Sequence, residues 1–308
     1  MSLRLSIDGR RVEVSPGATI LDACRDRGID VPTLCFLKVL RPANACRLCV
    51  VEVKGAGALV PACSRRVEAG MDILTDSERV RHSRKLILEL LGSAVDLSLA
   101  SGELKAWRER YEARRDRFGP PATRTEETGE GTDRPGHHRL PVVPAAETLA
   151  QPVRIDNDLY VRDGSRCVLC YRCVEACGED AQNTYAITVA GRGFNTRIAT
   201  EFDGTLPDSA CVFCGNCIGV CPTGALMFKS EHDLRVGGRW DESAQKVTPT
   251  ICPYCGVGCT LQLHVQANRI VKVTSPLDSG TTRGMLCVKG RFGWSYVQSR
   301  GEDPGGDR

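Results

Sequence analysis

From Leu3 to Val14 apolar and polar residues alternate on either side of Asp8-Gly9, in the order LRLSIDGRRVEV. Alternation with a period of two turns one face inwards, and Asp-Gly suits a tight turn, so the stretch predicts a β-hairpin. The rhythm changes in SPGATILDACRDRGIDVPTLC, where Thr19 is placed to cap a short helix carrying Ile20, Leu21 and Cys24, and Gly28 to end it. Residues 76–118 predict a helical connector. Leu104, Trp107, Tyr111 and Phe118 form a stripe, and Lys105 with Glu109 and Arg108 with Glu112 are spaced as ion pairs on the other face. The pattern lapses over 119–152, which is rich in Pro, Gly, Thr and Glu and reads as a flexible linker in which His137 and His138 are solvated. Alternation returns in TLQLHV and RIVKV, two strands of a small sheet with His264 on the polar face.

A length of 308 residues fits two or three domains. The N-terminus has no apolar signal core, and Arg10-Arg11 reads as surface charge beside a turn. No run of about 18 apolar residues marks a membrane span. A net charge of +3, with both signs interleaved, does not indicate nucleic acid. The 17 cysteines change the picture. Without secretion features they point to a reduced, cytoplasmic setting and to metal ligation rather than disulfides. With only three Trp, six Tyr and seven Phe against 31 Gly, the cysteine-rich segments need metal as a cross-link.

Sixteen cysteines fall into four sets, leaving Cys24 as a small buried hydrophobe. The first set is Cys35, Cys46, Cys49 and Cys63. A close Cys-x-x-Cys pair can hold one side of a two-iron cluster and distant cysteines the other, although zinc takes similar ligands. The second, Cys167, Cys170, Cys173 and Cys177, and the third, Cys211, Cys214, Cys217 and Cys221, each repeat the C-x2-C-x2-C-x3-C run of bacterial ferredoxins. In such a pair the fourth cysteine of each run ligates the other cluster. Cys167, Cys170, Cys173 and Cys221 would then hold one 4Fe-4S cluster, and Cys211, Cys214, Cys217 and Cys177 its partner. Pro222 follows the third set as expected; Gly178 stands where the second should have proline, which loosens that turn. The fourth set is Cys252, Cys255, Cys259 and Cys287, with Gly256 and Gly258 allowing a tight fold. Its spacing alone fits a zinc ribbon as well as a 4Fe-4S cluster.

The flanking words carry resemblances. VPTLC, ACRLCVVEV and VPAC resemble the 2Fe-2S ferredoxin-like domain at the front of respiratory NADH dehydrogenase and formate dehydrogenase large subunits. Asn44 stands where that family often has glycine, and asparagine tolerates the left-handed backbone the loop requires. CPYCGVGC with CVKG resembles the N-terminal 4Fe-4S subdomain of molybdenum or tungsten bis-pterin oxidoreductases. The order of modules is similar to the front of a cytosolic NAD-dependent formate dehydrogenase alpha subunit. The resemblance implies a multi-domain α+β chain: a β-grasp 2Fe-2S ferredoxin-like domain (1–75), the helical connector (76–118), the linker (119–152), a two-cluster 4Fe-4S ferredoxin domain (153–235), a small β-rich 4Fe-4S subdomain (246–299) and a disordered tail (300–308).

It further implies one 2Fe-2S and three 4Fe-4S clusters. These would carry electrons between a formate-oxidising pterin centre and a flavin-bearing, NAD-reducing diaphorase-type partner, with Lys289 relaying between cluster and pterin. Two departures qualify it. No cysteine lies between Cys63 and Cys167, and His82 does not match the ligand position, so the family's additional one-histidine, three-cysteine cluster is expected to be absent. After FGWSYVQSR the family continues into its pterin domain, whereas this sequence ends in GEDPGGDR, so no catalytic residue is expected. The alternatives are one half of a split formate dehydrogenase completed by a separate pterin-domain chain, a truncated product without a role, and a zinc-binding structural protein. The diaphorase subunit of soluble hydrogenases shares only the first three sets.

Overall fold

The computed structural model describes residues 2–118 and 153–299. The linker 119–152, with His137 and His138, and the tail 300–308 lie outside the described residues. The chain divides into two compact units, and residues 165–171 and 191–196 group with the first.

In the first unit β1 (Leu3–Ile7) and β2 (Arg10–Val14) form the expected hairpin, with Ile7 opposite Arg10. Asp8 and Gly9 both take positive φ at the turn. The Asp8 carboxylate also accepts from the Thr75 N–H and hydroxyl, each at 2.7 Å. Thr19 caps α1 (Ile20–Arg25): its Oγ1 accepts from Asp22 N–H while the Asp22 carboxylate accepts from Thr19 N–H, a reciprocal capping box. With β3 (Val50–Val53), β4 (Val60–Pro61) and β5 (Asp72–Leu74) the hairpin builds a five-stranded sheet ordered β2-β1-β5-β3-β4, in which β1 and β5 run parallel. Ile20, Leu21 and Cys24 of α1 share one core with Leu5, Ile7 and Ile73 of the sheet. Burial pushes the Cys24 thiol up to about 12, as befits an inert core residue.

The connector is two helices rather than one. Ser77 caps α2 (Glu78–Ala94), the chain leaves helical geometry at Val95, and Ser101 starts α3 (Gly102–Arg110). Leu104 and Tyr111 are buried as the stripe predicts. The expected ion pair of Arg108 with Glu112 does not form, because the helix has ended and Glu112 turns to φ 49. Lys105 and Glu109, both exposed, do not pair either, since two long solvated side chains gain little from being ordered. The fully buried Arg84 ties α2 to the sheet: one arm donates to the Tyr111 hydroxyl (2.7 Å) and the other to Val50 O (2.8 Å), next to Cys49. Segment 165–171 is held by a buried ion pair, Arg166 to Asp96 at 2.8 Å, and by Asp96 N–H donating to Ser165 O.

The second unit contains a sheet ordered β10-β7-β6, built from β6 (Val153–Arg154), β7 (Tyr160–Asp163) and β10 (Leu226–Phe228). Two short helices, α4 (Arg172–Cys177) and α5 (Asn216–Val220), carry cysteines. A ribbon of β8 (Thr188–Ala190) and β9 (Arg197–Ala199) lies between them in sequence, and α6 (Lys229–Val236) follows β10. The antiparallel sheet β11-β12-β13 (Lys246–Ile251, Thr260–Gln266, Arg269–Thr274) leads to α7 (Val288–Phe292) and α8 (Trp294–Ser299). Phe292 leaves its own module and enters the core of the preceding one, stacked on Tyr160 at 6.1 Å and edge-on to Phe228 at 5.6 Å. Such aromatic pairs add about 0.5–1.5 kcal/mol each beyond the area they bury. Among the described residues no helix is long and apolar enough to cross a membrane.

His264 lies on β12 as expected, but it is half-buried and bonded to Thr274 Oγ1 (2.9 Å) rather than free in solvent. Burial, with Lys272 nearby, lowers it from 6.5 to about 4. Between those values the unfolded chain binds a proton that the folded one refuses, so stability falls as pH drops through that window. Thermal unfolding at pH 7 and pH 5 should show a smaller loss for His264→Gln than for the wild type.

Candidate metal centres

The first set is assembled in the first unit. Cys35, Cys49 and Cys63 are buried and Cys46 half-buried. Their thiols approach in pairs, Cys46 with Cys35 and Cys63 with Cys49. The close pair Cys46-x-x-Cys49 is thus divided between two sides rather than holding one, and Arg47, at φ 57, turns the chain between them. Asn44 adopts φ 55, the left-handed conformation its side chain tolerates. Hydrogen bonding from Cys63 holds the Cys49 thiol down at about 7, whereas Cys63 and Cys46 are pushed up by sharing a proton with their partners and by burial. The N–H groups of Cys35 and Leu48 both donate to Cys46 Sγ at 3.4 Å. Four thiols in two close pairs, with backbone donors aimed at the Cys46 sulfur, fit a bound cation-rich group that would deprotonate them together.

In the second unit the structure brings Cys177 to the third set. Burial raises Cys214 and Cys217, and both feel the charges of Cys211 and Cys177. Cys217 feels the charge of Cys221 too. The Tyr160 hydroxyl contacts Cys211 Sγ at 2.9 Å and Phe213 N–H donates to the same sulfur at 3.4 Å. Thr184 Oγ1 lies 3.4 Å from Cys177 Sγ. Gly178 does not loosen its turn: its N–H donates to Val174 O at 2.8 Å, a bond that proline could not make. Of the second set, Cys173 joins the same core as Cys221, whereas Cys167 and Cys170 fall on segment 165–171 of the first unit.

In the fourth set Cys252 is buried and bonded through its N–H to Cys259 O (2.8 Å), while Cys255 and Cys287 are exposed. Burial, then the charges of Cys252, Cys255 and Cys287, raise Cys259, so all four thiols are neighbours. Gly258 supplies the one turn here that needs positive φ, at +67°. Lys289 lies on α7, exposed. Across the described residues no three His, Cys, Asp or Glu side chains close on a point sized for a single ion.

Three polar residues near the cysteines are not marked by any spacing. They are Tyr160, Asn216 and Arg291. Asn216, between Cys214 and Cys217, accepts on Oδ1 from Leu286 N–H (2.8 Å) and from Arg291 (3.2 Å), so one side chain joins the loop of the third set to the residue preceding Cys287. Asparagine inside a cysteine run reads as a turn former, and its partner 70 residues away leaves no local signal.

Residues 1–78 match the 2Fe-2S iron-sulfur cluster binding domain, 159–227 the ferredoxin-like domain of NADH-quinone oxidoreductase subunit 3, and 245–299 the molybdopterin oxidoreductase Fe4S4 domain. The chain therefore carries 2Fe-2S and 4Fe-4S cluster-binding domains and is an iron–sulfur protein of the electron-transfer kind. Over 309 residues it is 34% identical to NADPH-Fe(3+) oxidoreductase subunit alpha of Geobacter sulfurreducens, covering 96% of this chain and 31% of that protein. It is 32% identical over 305 residues to an NADH-quinone oxidoreductase subunit of Rhizobium meliloti, covering 97% and 32%. The chain spans about a third of the length of these curated relatives. Its fold resembles a chain of an NAD+-reducing [NiFe]-hydrogenase crystal structure in the H2-reduced state, with a TM-score of 0.56 and 24% identity over 74% of this chain and 88% of that one.

Asn216→Ala should leave the buried Leu286 N–H without its acceptor and take from Arg291 Nη2 one of its two acceptors, Gly284 O remaining. A loss of about 2–3 kcal/mol is expected for two such bonds, measured by denaturant unfolding.

Proposed function

We propose that the chain conducts electrons between a molybdenum- or tungsten-pterin centre and a flavin-bearing, NAD(P)-linked diaphorase-type partner, with formate as the substrate of the pterin centre. The single observation that carries this reading is the fourth set. Its flanking sequence is that of a cluster beside a pterin, and its Cys255 and Cys287 are exposed, with Lys289 exposed on the helix that follows. The first set, by contrast, is almost wholly buried. Electrons thus have an outlet at one end of the cysteine series and a water-excluded site near the other. Whether the pterin domain continues the same polypeptide or comes from another, the crossing point is the fourth set. The names of the relatives, which join NADH or NADPH to an acceptor, support the nucleotide-linked partner; the words CPYCGVGC and CVKG support the pterin and formate.

The proposed ligands are Cys35, Cys46, Cys49 and Cys63 for a 2Fe-2S cluster, and Cys167, Cys170, Cys173 and Cys221 for a 4Fe-4S cluster. A second 4Fe-4S cluster takes Cys211, Cys214, Cys217 and Cys177, and a third takes Cys252, Cys255, Cys259 and Cys287. When bound, the clusters supply one-electron chemistry. The chain's own residues hold the thiolates, exclude water from the first set and donate hydrogen bonds to sulfur from backbone N–H groups and the Tyr160 hydroxyl. Such bonds favour the reduced form, because they stabilise the added negative charge.

Anaerobic reconstitution should load about 14 irons per chain. Fewer than about six, accompanied by several zincs, would make the sites structural zinc sites and end the electron-transfer reading. Crossed ligation has its own check. Cys177→Ser should perturb the spectrum of the cluster on Cys211, Cys214 and Cys217 more than that of the cluster on Cys167, Cys170 and Cys173. With purified pterin and diaphorase components added, formate should reduce the chain's clusters; reduction by NAD(P)H alone would leave the nucleotide side standing and remove formate.

A further inference from the structure

We propose that Arg291 is the buried counter-cation of the cluster held by Cys177, Cys211, Cys214 and Cys217 and raises its reduction potential; the proposal rests on the iron–sulfur reading above. The Arg291 side chain is fully buried. Nη1 donates to Val273 O (3.3 Å), Nη2 donates to Asn216 Oδ1 and Gly284 O (both 3.2 Å), and Nε has no partner among the described residues. Every acceptor is neutral, and no carboxylate of the described residues pairs with it. A guanidinium taken out of water and met only by neutral oxygens is strongly disfavoured unless negative charge stands close. The thiols of Cys214 and Cys217 are the groups whose charge reaches it.

The backbone is shaped to admit this cation. A Cβ at Gly219 would lie 3.2 Å from Nη2, and one at Gly215 only 2.9 Å from Cγ, with Gly215 at φ +68. Both glycines belong to the run CGNCIGVC, so the guanidinium passes against the backbone that carries the ligands, and Asn216 in the same run positions it. A fixed positive charge there stabilises the cluster state with the extra electron more than the oxidised state. The sequence drew attention to Lys289 two positions earlier, but that side chain is exposed and water screens its charge.

The test is an EPR-monitored redox titration of the reconstituted full chain, comparing wild type, Arg291→Gln and Arg291→Lys, with iron content and thermal unfolding measured alongside. The relevant signal is the one perturbed by Cys177→Ser. We expect Arg291→Gln to shift that midpoint to more negative potential while the other clusters keep theirs, and Arg291→Lys, which keeps the charge, to stay near wild type. Should the glutamine variant fail to assemble the cluster, assembly of the lysine variant at wild-type potential supports the proposal equally, since charge is then what the site requires. An unchanged midpoint in Arg291→Gln, a lowered one in Arg291→Lys, or failure of both variants to assemble overturns it; the last would make the arginine a structural element. Wild-type protein that takes up no cluster would instead overturn the iron–sulfur reading beneath it.

Discussion

Sulfur ligands crowded together out of water are the constraint on which the rest of this structure depends. Burial disfavours each thiolate, and an ionised neighbour makes the next thiol harder to ionise: hydrogen bonding lets Cys49 ionise easily while Cys63 is pushed up. The fold therefore brings donors to sulfur, namely backbone N–H groups at Cys46 and Cys211 and the Tyr160 hydroxyl, and sets the Arg291 charge where Cys214 and Cys217 feel it. It also spends few apolar side chains on the loops that carry the cysteines. The hydrophobic cores lie under those loops, where Ile20, Leu21 and Ile73 back the first set and Tyr160, Phe228 and Phe292 back the third.

Polar residues buried away from the sulfurs perform a different task, which is to fix where the cysteine loops sit. Arg84 joins α2 and Tyr111 to the backbone after Cys49, and the Asp96–Arg166 pair secures the segment bearing Cys167 and Cys170. Removing Asp96 would leave the Arg166 charge unpaired in a low-dielectric interior, an effect worth about 3–5 kcal/mol for a buried ion pair. Exposed pairs such as Arg4 with Glu13 contribute far less. The firm attachments of the cysteine loops are thus the buried ones.

Much of this was legible in the sequence where the signal is local. The Asp8-Gly9 turn, the Thr19 cap, the left-handed Asn44 and the β12–β13 ribbon each follow from a few adjacent residues, and the structure has them. The cysteine runs announced the sets by spacing. Interactions between distant segments left no such trace. Just past the end of α2, Asp96 pairs with the distant Arg166. The periodicity over 76–118 contains no hint of that pairing. Lys289 was conspicuous because it follows a cysteine word, while Arg291 was not, since burial of an arginine is decided by what packs over it.

Phe292 lodged among Tyr160 and Phe228 has a consequence for modularity. Iron–sulfur modules are often pictured as beads that can be cut from one chain and threaded onto another. Here a ring and a neighbouring guanidinium from the last bead complete the interior of the one before it, and Gly215 has given up its side chain to admit them. A graft that moves the ferredoxin-like part alone would open the core that Phe292 closes, and one that moves 245–299 alone would expose that ring. The smallest portable piece of the second unit is the pair.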